Sequence, residues 1–158
     1  HGKKVEDSQR GGYGEISAAR VFEVSSNVGI VKLIRKYYDD NPEQFLGHLK
    51  DYGLTEKIGL PIKGEGNPIV YYPGKPGWNK ISLEWMSWGY SIAVTPLQTL
   101  MFYNAVANNG EMVKPRFIKE LRRENRIIKS FHKEIVNPQI ASSETIRKLK
   151  KVHPSTAI

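Results

Sequence analysis

The sequence contains no cysteine. That absence excludes a disulfide framework, a cysteine nucleophile and a thiolate zinc site together. Long apolar runs are missing too: nothing approaches the roughly 18 consecutive apolar residues that a membrane-spanning helix needs. The opening His1-Gly2-Lys3-Lys4 is not followed by the apolar stretch of a secretory signal, so the chain reads as soluble. Its four histidines, His1, His48, His132 and His153, have no HxH or HxxxH spacing, which argues against a histidine metal site; no metal and no organic cofactor is expected. Gly74-Lys75-Pro76-Gly77 looks like a phosphate loop but lacks the G-x-x-x-x-G-K-[ST] spacing, and proline removes an amide donor where phosphate requires one. Asp39-Asp40 stands before Asn41, where capping or solvation explains the carboxylates better than acid–base work.

What is present suits one globular unit. The 158 residues are 39% hydrophobic and 25% charged, with 3 Trp, 8 Tyr and 5 Phe to fill a core. The net charge of +8 lies wholly at one end: residues 114–158 carry 12 Lys/Arg against Glu120, Glu124, Glu134 and Glu144, while the rest of the chain is balanced. Arg122, Arg123, Arg126 and Lys129 have only Phe131 among them as an aromatic platform for bases, so a solvated face is expected there and no nucleic-acid partner.

Caps predict the helices. Thr95-Pro96-Leu97-Gln98 combines an N-cap hydroxyl, a first-turn proline and a reciprocal glutamine, ahead of a mostly buried helix that ends at Asn108-Asn109-Gly110. Asn41-Pro42-Glu43-Gln44 repeats the device, with Gly53 as terminator. Further helices are expected over Val31, Ile34, Tyr37 and Tyr38, over residues 18–24, and after Ser142 or Ser143, making five in all. Glycine and proline between Ile58 and Trp78 predict a long ordered loop. Arg116-Phe117-Ile118 and Arg126-Ile127-Ile128 flank Glu124-Asn125 as a hairpin.

Ser25-Ser26-Asn27 sits where one short apolar helix ends and another begins, a place where polar residues ordinarily cap orphan amides. It acquires meaning from its surroundings. Ala-x-x-Val-Phe-x-Val-Ser-Ser-Asn-Val-Gly at 18–29 is followed by a helix pair, then Gly59-Leu60-Pro61, then Trp88-Gly89-Tyr90-Ser91-Ile92-Ala93-Val94-Thr95-Pro96-Leu97-Gln98, then Asn-Asn-Gly. In this order the chain resembles the transpeptidase domain of penicillin-binding proteins, specifically the monofunctional, division-type class B members. Ser91 stands where relatives often have glycine, and His153-Pro154-Ser155 departs from the Gly-Thr-Ala run common near that point.

The resemblance implies an α/β (α+β) serine-transpeptidase fold like that of β-lactamases, of which residues 1–158 form a partial domain, mostly α with a small hairpin. It implies a D,D-transpeptidase that cross-links peptidoglycan stem peptides through an acyl-serine and is acylated by β-lactams. Ser25 is then expected in the proton relay, and Asn27 and Ser26 in substrate binding. The family also needs S-x-x-K, whose serine is the nucleophile and whose lysine is its base, and K-[ST]-G on a neighbouring strand. Neither occurs in its place: the one S-x-x-K string, Ser130-Phe131-His132-Lys133, follows S-x-N instead of preceding it. The chain therefore reads as a middle segment without the nucleophile, inactive alone, prone to self-association through the face its missing sheet would cover. Its parent is expected to be membrane-anchored on the extracytoplasmic, periplasmic side, with divisome proteins as partners. Two alternatives stand beside this. A β-lactamase-related hydrolase needs a water-activating glutamate in an E-x-x-L-N context, which neither Glu65 nor Glu84 has. A noncatalytic interaction module would use the basic C-terminal third.

Overall fold

In the computed structural model, which describes residues 4–152, the cap signals become helix starts. Ser17 caps α1 (Ala18–Glu23), Ser26 caps α2 (Asn27–Tyr38), and Asn41 caps α3 (Pro42–Asp51), each side chain accepting from an amide two or three residues into its helix. At α5 (Pro96–Ala107) the reciprocal arrangement is complete: Thr95 Oγ1 accepts from the Gln98 amide at 3.2 Å while Gln98 Oε1 accepts from the Thr95 amide at 2.9 Å. Ser142 begins α6 (Ser143–Val152) by accepting from the Thr145 amide at 3.1 Å.

Several expectations are corrected. There are six helices among the described residues; the sixth, α4 (Ser82–Ser87), has no side-chain cap, and without that marker nothing separates it from the loop before it. That loop contains β1 (Ile69–Val70), which pairs antiparallel with β2 (Ile92–Ala93). The hairpin exists, but its first strand is β4 (Glu120–Arg123), not residues 116–118. Its partner is β5 (Arg126–Ser130), and Glu124 and Asn125 both adopt the left-handed conformation, φ 48° and 63°, of a two-residue turn that matches strand twist. Helix α5 is less buried than its apolar sequence suggests: Gln98, Met101 and Ala105 are covered, whereas Leu100 and Tyr103 are more than half exposed. The expected alignment around His153-Pro154-Ser155 lies outside the described residues.

The largest apolar cluster forms where α5 and α6 meet β3 (Met112–Val113), itself paired with β6 (Ile135–Asn137). Met101, Ala105, Met112, Ile140 and Ile146 are its buried members, with Tyr52, Ile58, Phe102 and Val106 packed around them. Buried Gln98 ties this cluster to the chain leaving α3, its Nε2 donating to the carbonyls of Gly53 at 3.0 Å and Glu56 at 2.8 Å. Gly53 has φ 69°, which favours glycine for the turn, and a Cβ there would lie 2.8 Å from Met101 Cε, so the methionine's terminal methyl would have to shift to admit one. The remaining helices pack as a second group, with α1, α3 and α4 all against α2.

Candidate functional site

The first serine of Ser25-Ser26-Asn27 occupies a position that favours glycine. Helix α1 ends at the cap Val24; the Ser25 amide then donates to the Phe22 carbonyl (3.1 Å) and the Ser26 amide to the Val21 carbonyl (3.0 Å). These are the two crossed bonds of a Schellman ending, and they put Ser25 at φ 52°. A side chain in that region costs on the order of 1–2 kcal/mol, and such strain persists only where the surroundings impose it.

Ser26 belongs to both helices. It is 2% exposed, its Oγ accepts from the Gly29 amide at 2.9 Å to cap α2, and its hydroxyl donates to the Asp7 carboxylate, 3.0 and 3.2 Å from the two oxygens. In this arrangement the Ser26 hydroxyl is engaged inside the protein. Gly29 allows this packing, since a Cβ there would stand 2.5 Å from Val21 Cγ2.

Ser25 and Asn27, on either side of it, are exposed and line one cleft of about 880 Å³ together with Arg35, Glu84, Trp85 and Trp88. Asn27 donates from Nδ2 to the Glu6 carbonyl at 3.2 Å, and its own carbonyl accepts from the Trp88 indole at 3.3 Å. Helix α4, which brings Trp88, is pinned to α2 by an ion pair. Arg35 Nε and Nη2 both lie 2.9 Å from Glu84 Oε1, with the carboxylate side chain only 7% exposed and the guanidinium open to the cleft. Trp85 meets Tyr90 edge-on, 5.6 Å between ring centres, to form part of the wall.

A serine in such a cleft needs a base before it can attack anything. Lys4 does line the cleft, but it is paired with Glu6 at 2.7 Å, and this hydrogen bond and charge raise its pKa, holding it as an ammonium that cannot accept a proton. Ser130 lies in β5, and Lys133 pairs with Glu111 at 2.7 Å; neither lines the cleft. The two glutamates weighed for a hydrolase are also committed elsewhere. Glu84 holds Arg35, and the Glu65 carboxylate accepts from the amides of Ile58, Gly59 and Leu60 at 2.6 to 3.3 Å. Those amides, Leu60 foremost, hold Glu65 below the usual carboxylate range, unsuited to activating water.

The fold is that of part of a penicillin-binding-protein transpeptidase domain. The chain belongs to the family described as the penicillin-binding protein transpeptidase domain, whose model matches residues 2–154. It is 28% identical over 155 residues to the penicillin-binding protein PbpB of Mycolicibacterium smegmatis, covering 98% of this chain and 23% of that protein. It is 30% identical over 110 residues to the peptidoglycan D,D-transpeptidase FtsI of Escherichia coli, covering 70% of this chain and 18% of that protein. Among solved structures, penicillin-binding protein 3 of Mycobacterium tuberculosis in complex with aztreonam superposes with a TM-score of 0.78 at 25% identity, over 94% of this chain and 32% of that one. The chain thus spans less than a quarter of the length of these curated relatives.

Sequence reasoning singled out Ser25, Ser26 and Asn27 and weighed Glu84 only as a hydrolase carboxylate; it missed Asp7 and Arg35 and the contacts they make with Ser26 and Glu84. No spacing rule joins Asp7 to Ser26 across 19 residues, or Arg35 to Glu84 across 49. Trp88 was legible only as part of the Trp-Gly-Tyr string.

Proposed function

We propose that this chain supplies the S-x-N corner of a peptidoglycan D,D-transpeptidase, the part that receives the stem peptide and passes a proton, while the nucleophile comes from S-x-x-K and the third wall from K-[ST]-G outside these residues. The observation that carries the reading is the alternation at the motif: Ser25 and Asn27 both line the cleft, and Ser26 between them is buried as the cap. Asn27 offers amide donors and an acceptor suited to the backbone of an extended peptide, and in the complete site it braces the lysine of S-x-x-K. Ser25 relays a proton from the attacking serine toward the departing amine, which needs only a hydroxyl able to accept and donate at once. β-Lactams acylate the complete site as mimics of the stem peptide. The activity belongs on the extracytoplasmic side of the membrane, where the polymer is, in company with other division proteins.

Incubation with a fluorescent penicillin followed by intact mass measurement tests this, for the 158-residue chain and for one extended to include both flanking motifs. A covalent adduct is expected on the extended chain alone. Stoichiometric labelling of the shorter chain would place the active serine within it and overturn the assignment.

A further inference from the structure

We infer that Asp7 is a positioning residue for the S-x-N motif: it holds Ser25 and Asn27 in the cleft by gripping the buried serine between them. Its carboxylate accepts from the Ser26 hydroxyl at 3.0 and 3.2 Å and from the Val28 amide at 3.1 Å, and its chain neighbour Glu6 accepts from the Asn27 side chain at 3.2 Å. Two adjacent residues of the arm before α1 therefore hold three consecutive residues across the motif. The inference rests on the transpeptidase reading and adds to it the group that fixes the motif's geometry.

Physical reasons favour positioning over simple helix capping. Helix α2 has its own cap in Ser26, which accepts from the Gly29 amide at 2.9 Å whether or not Asp7 is present. The motif also contains a left-handed residue, Ser25 at φ 52°, whose Schellman ending runs through the amide of Ser26, the residue Asp7 holds. A charged acceptor on Ser26 and Val28 locks the residues just after it, and charge-assisted bonds are the stronger kind. The position also suits a carboxylate, which the amides at a helix N-terminus favour. Ser26 and Asp7 both line a second cavity, about 970 Å³, between the arm and α2, while Ser25 and Asn27 line the cleft, so the grip is applied from outside the reacting space.

The test uses the full-length protein carrying this chain. Asp7→Ala is expected to lower the second-order rate of acylation by a fluorescent penicillin tenfold or more. The loss should fall on the acylation rate constant, with the dissociation constant of the complex formed before it changed less than threefold. Asp7→Asn, which keeps an acceptor for the amide and a partner for the hydroxyl, should recover to within about threefold of wild type. Thr95→Ala, remote from the motif, controls for stability by lowering the melting temperature without this loss. In the 158-residue chain, Asp7→Ala should shift the indole N–H resonance of Trp88, which reads the Asn27 carbonyl. Acylation by Asp7→Ala within twofold of wild type, or an equal loss in Thr95→Ala, overturns the inference. If Asp7→Ala does not fold, Asp7→Ser, whose short hydroxyl cannot bridge Ser26 and Val28 together, is read against the same twofold limit. Asn27→Ala separates the two levels: if it also acylates normally, the reading of S-x-N fails and this inference with it; if it is slow while Asp7→Ala is fast, only the positioning role is overturned.

Discussion

Around Ala105, which is completely buried, Met101, Met112, Ile140 and Ile146 meet without a polar atom among their side chains. Around Ser26, nearly as buried, the contacts are hydrogen bonds to Asp7 and Gly29, and the neighbouring Ser25 is strained. The first region holds elements far apart in sequence by excluding water, a force that is non-directional and tolerates rotamer adjustment. The second holds two side chains at a fixed angle, which directional bonds can do and apolar packing alone cannot. The difference teaches where stability and chemistry should separate: damage to the apolar cluster lowers the population of the whole fold, whereas damage at the corner leaves the fold and misaims its motif.

The largest effect should come from the cluster. Ile146→Ala removes a side chain 2% exposed and is expected to cost about 3 kcal/mol from lost burial and the cavity left behind; a denaturant titration measures it, and a loss below 1 kcal/mol would mean that α6 is not anchored there. Next comes Asn27→Ala at the exposed corner, expected to remove about 1–3 kcal/mol of transition-state stabilisation in the full-length protein. Its denaturation midpoint should hardly move, and rates of β-lactam acylation within a factor of two of wild type would reduce Asn27 to a structural residue. Thr95→Ala breaks the capping box of α5 and should lower stability by about 1 kcal/mol without touching acylation; an unchanged midpoint with acylation abolished would move Thr95 into the site and blur the two regions. The smallest effect appears only in acid. Because amides hold the Glu65 carboxyl below its ordinary value, its stabilisation is fully present above the unfolded value of about 4.3 and is lost as pH falls through the folded value. Denaturation midpoints followed from pH 6 down to 3 should therefore fall more steeply for wild type than for Glu65→Gln.

Legibility followed the range of the forces. The starts of α3 and α5 could be read because cap, proline and partner all lie within four residues. Helix α4 escaped because it has no side-chain cap; it is held in place by Arg35 on α2 and by Trp88 against Asn27, contacts that local pattern does not encode. The first hairpin strand was placed four residues early because Phe117 and Ile118 look like strand, yet the turn at Glu124-Asn125 pairs Arg123 with Arg126 and Arg122 with Ile127, and a register shift between Leu121 and Arg122 then puts Glu120 opposite Ser130. In the site, Ser25 and Asn27 were legible as a motif. Which of the three residues faces the cleft was not.

That last distinction marks the division for the whole chain. The order of its strings, from Ser25-Ser26-Asn27 to Thr95-Pro96-Leu97-Gln98, sufficed by itself to identify the family, because the capping groups and short motifs act within a helical turn and their chemistry is written in adjacent residues. Tertiary structure alone decided that Ser26 is buried and Ser25 left-handed, that Glu84 is committed to Arg35, and that Asp7 reaches the motif across 19 residues. Those facts depend on how α1, α2, α4 and the arm approach one another, and the approach is set by packing such as that of Val21 against Gly29, which no single stretch of sequence contains.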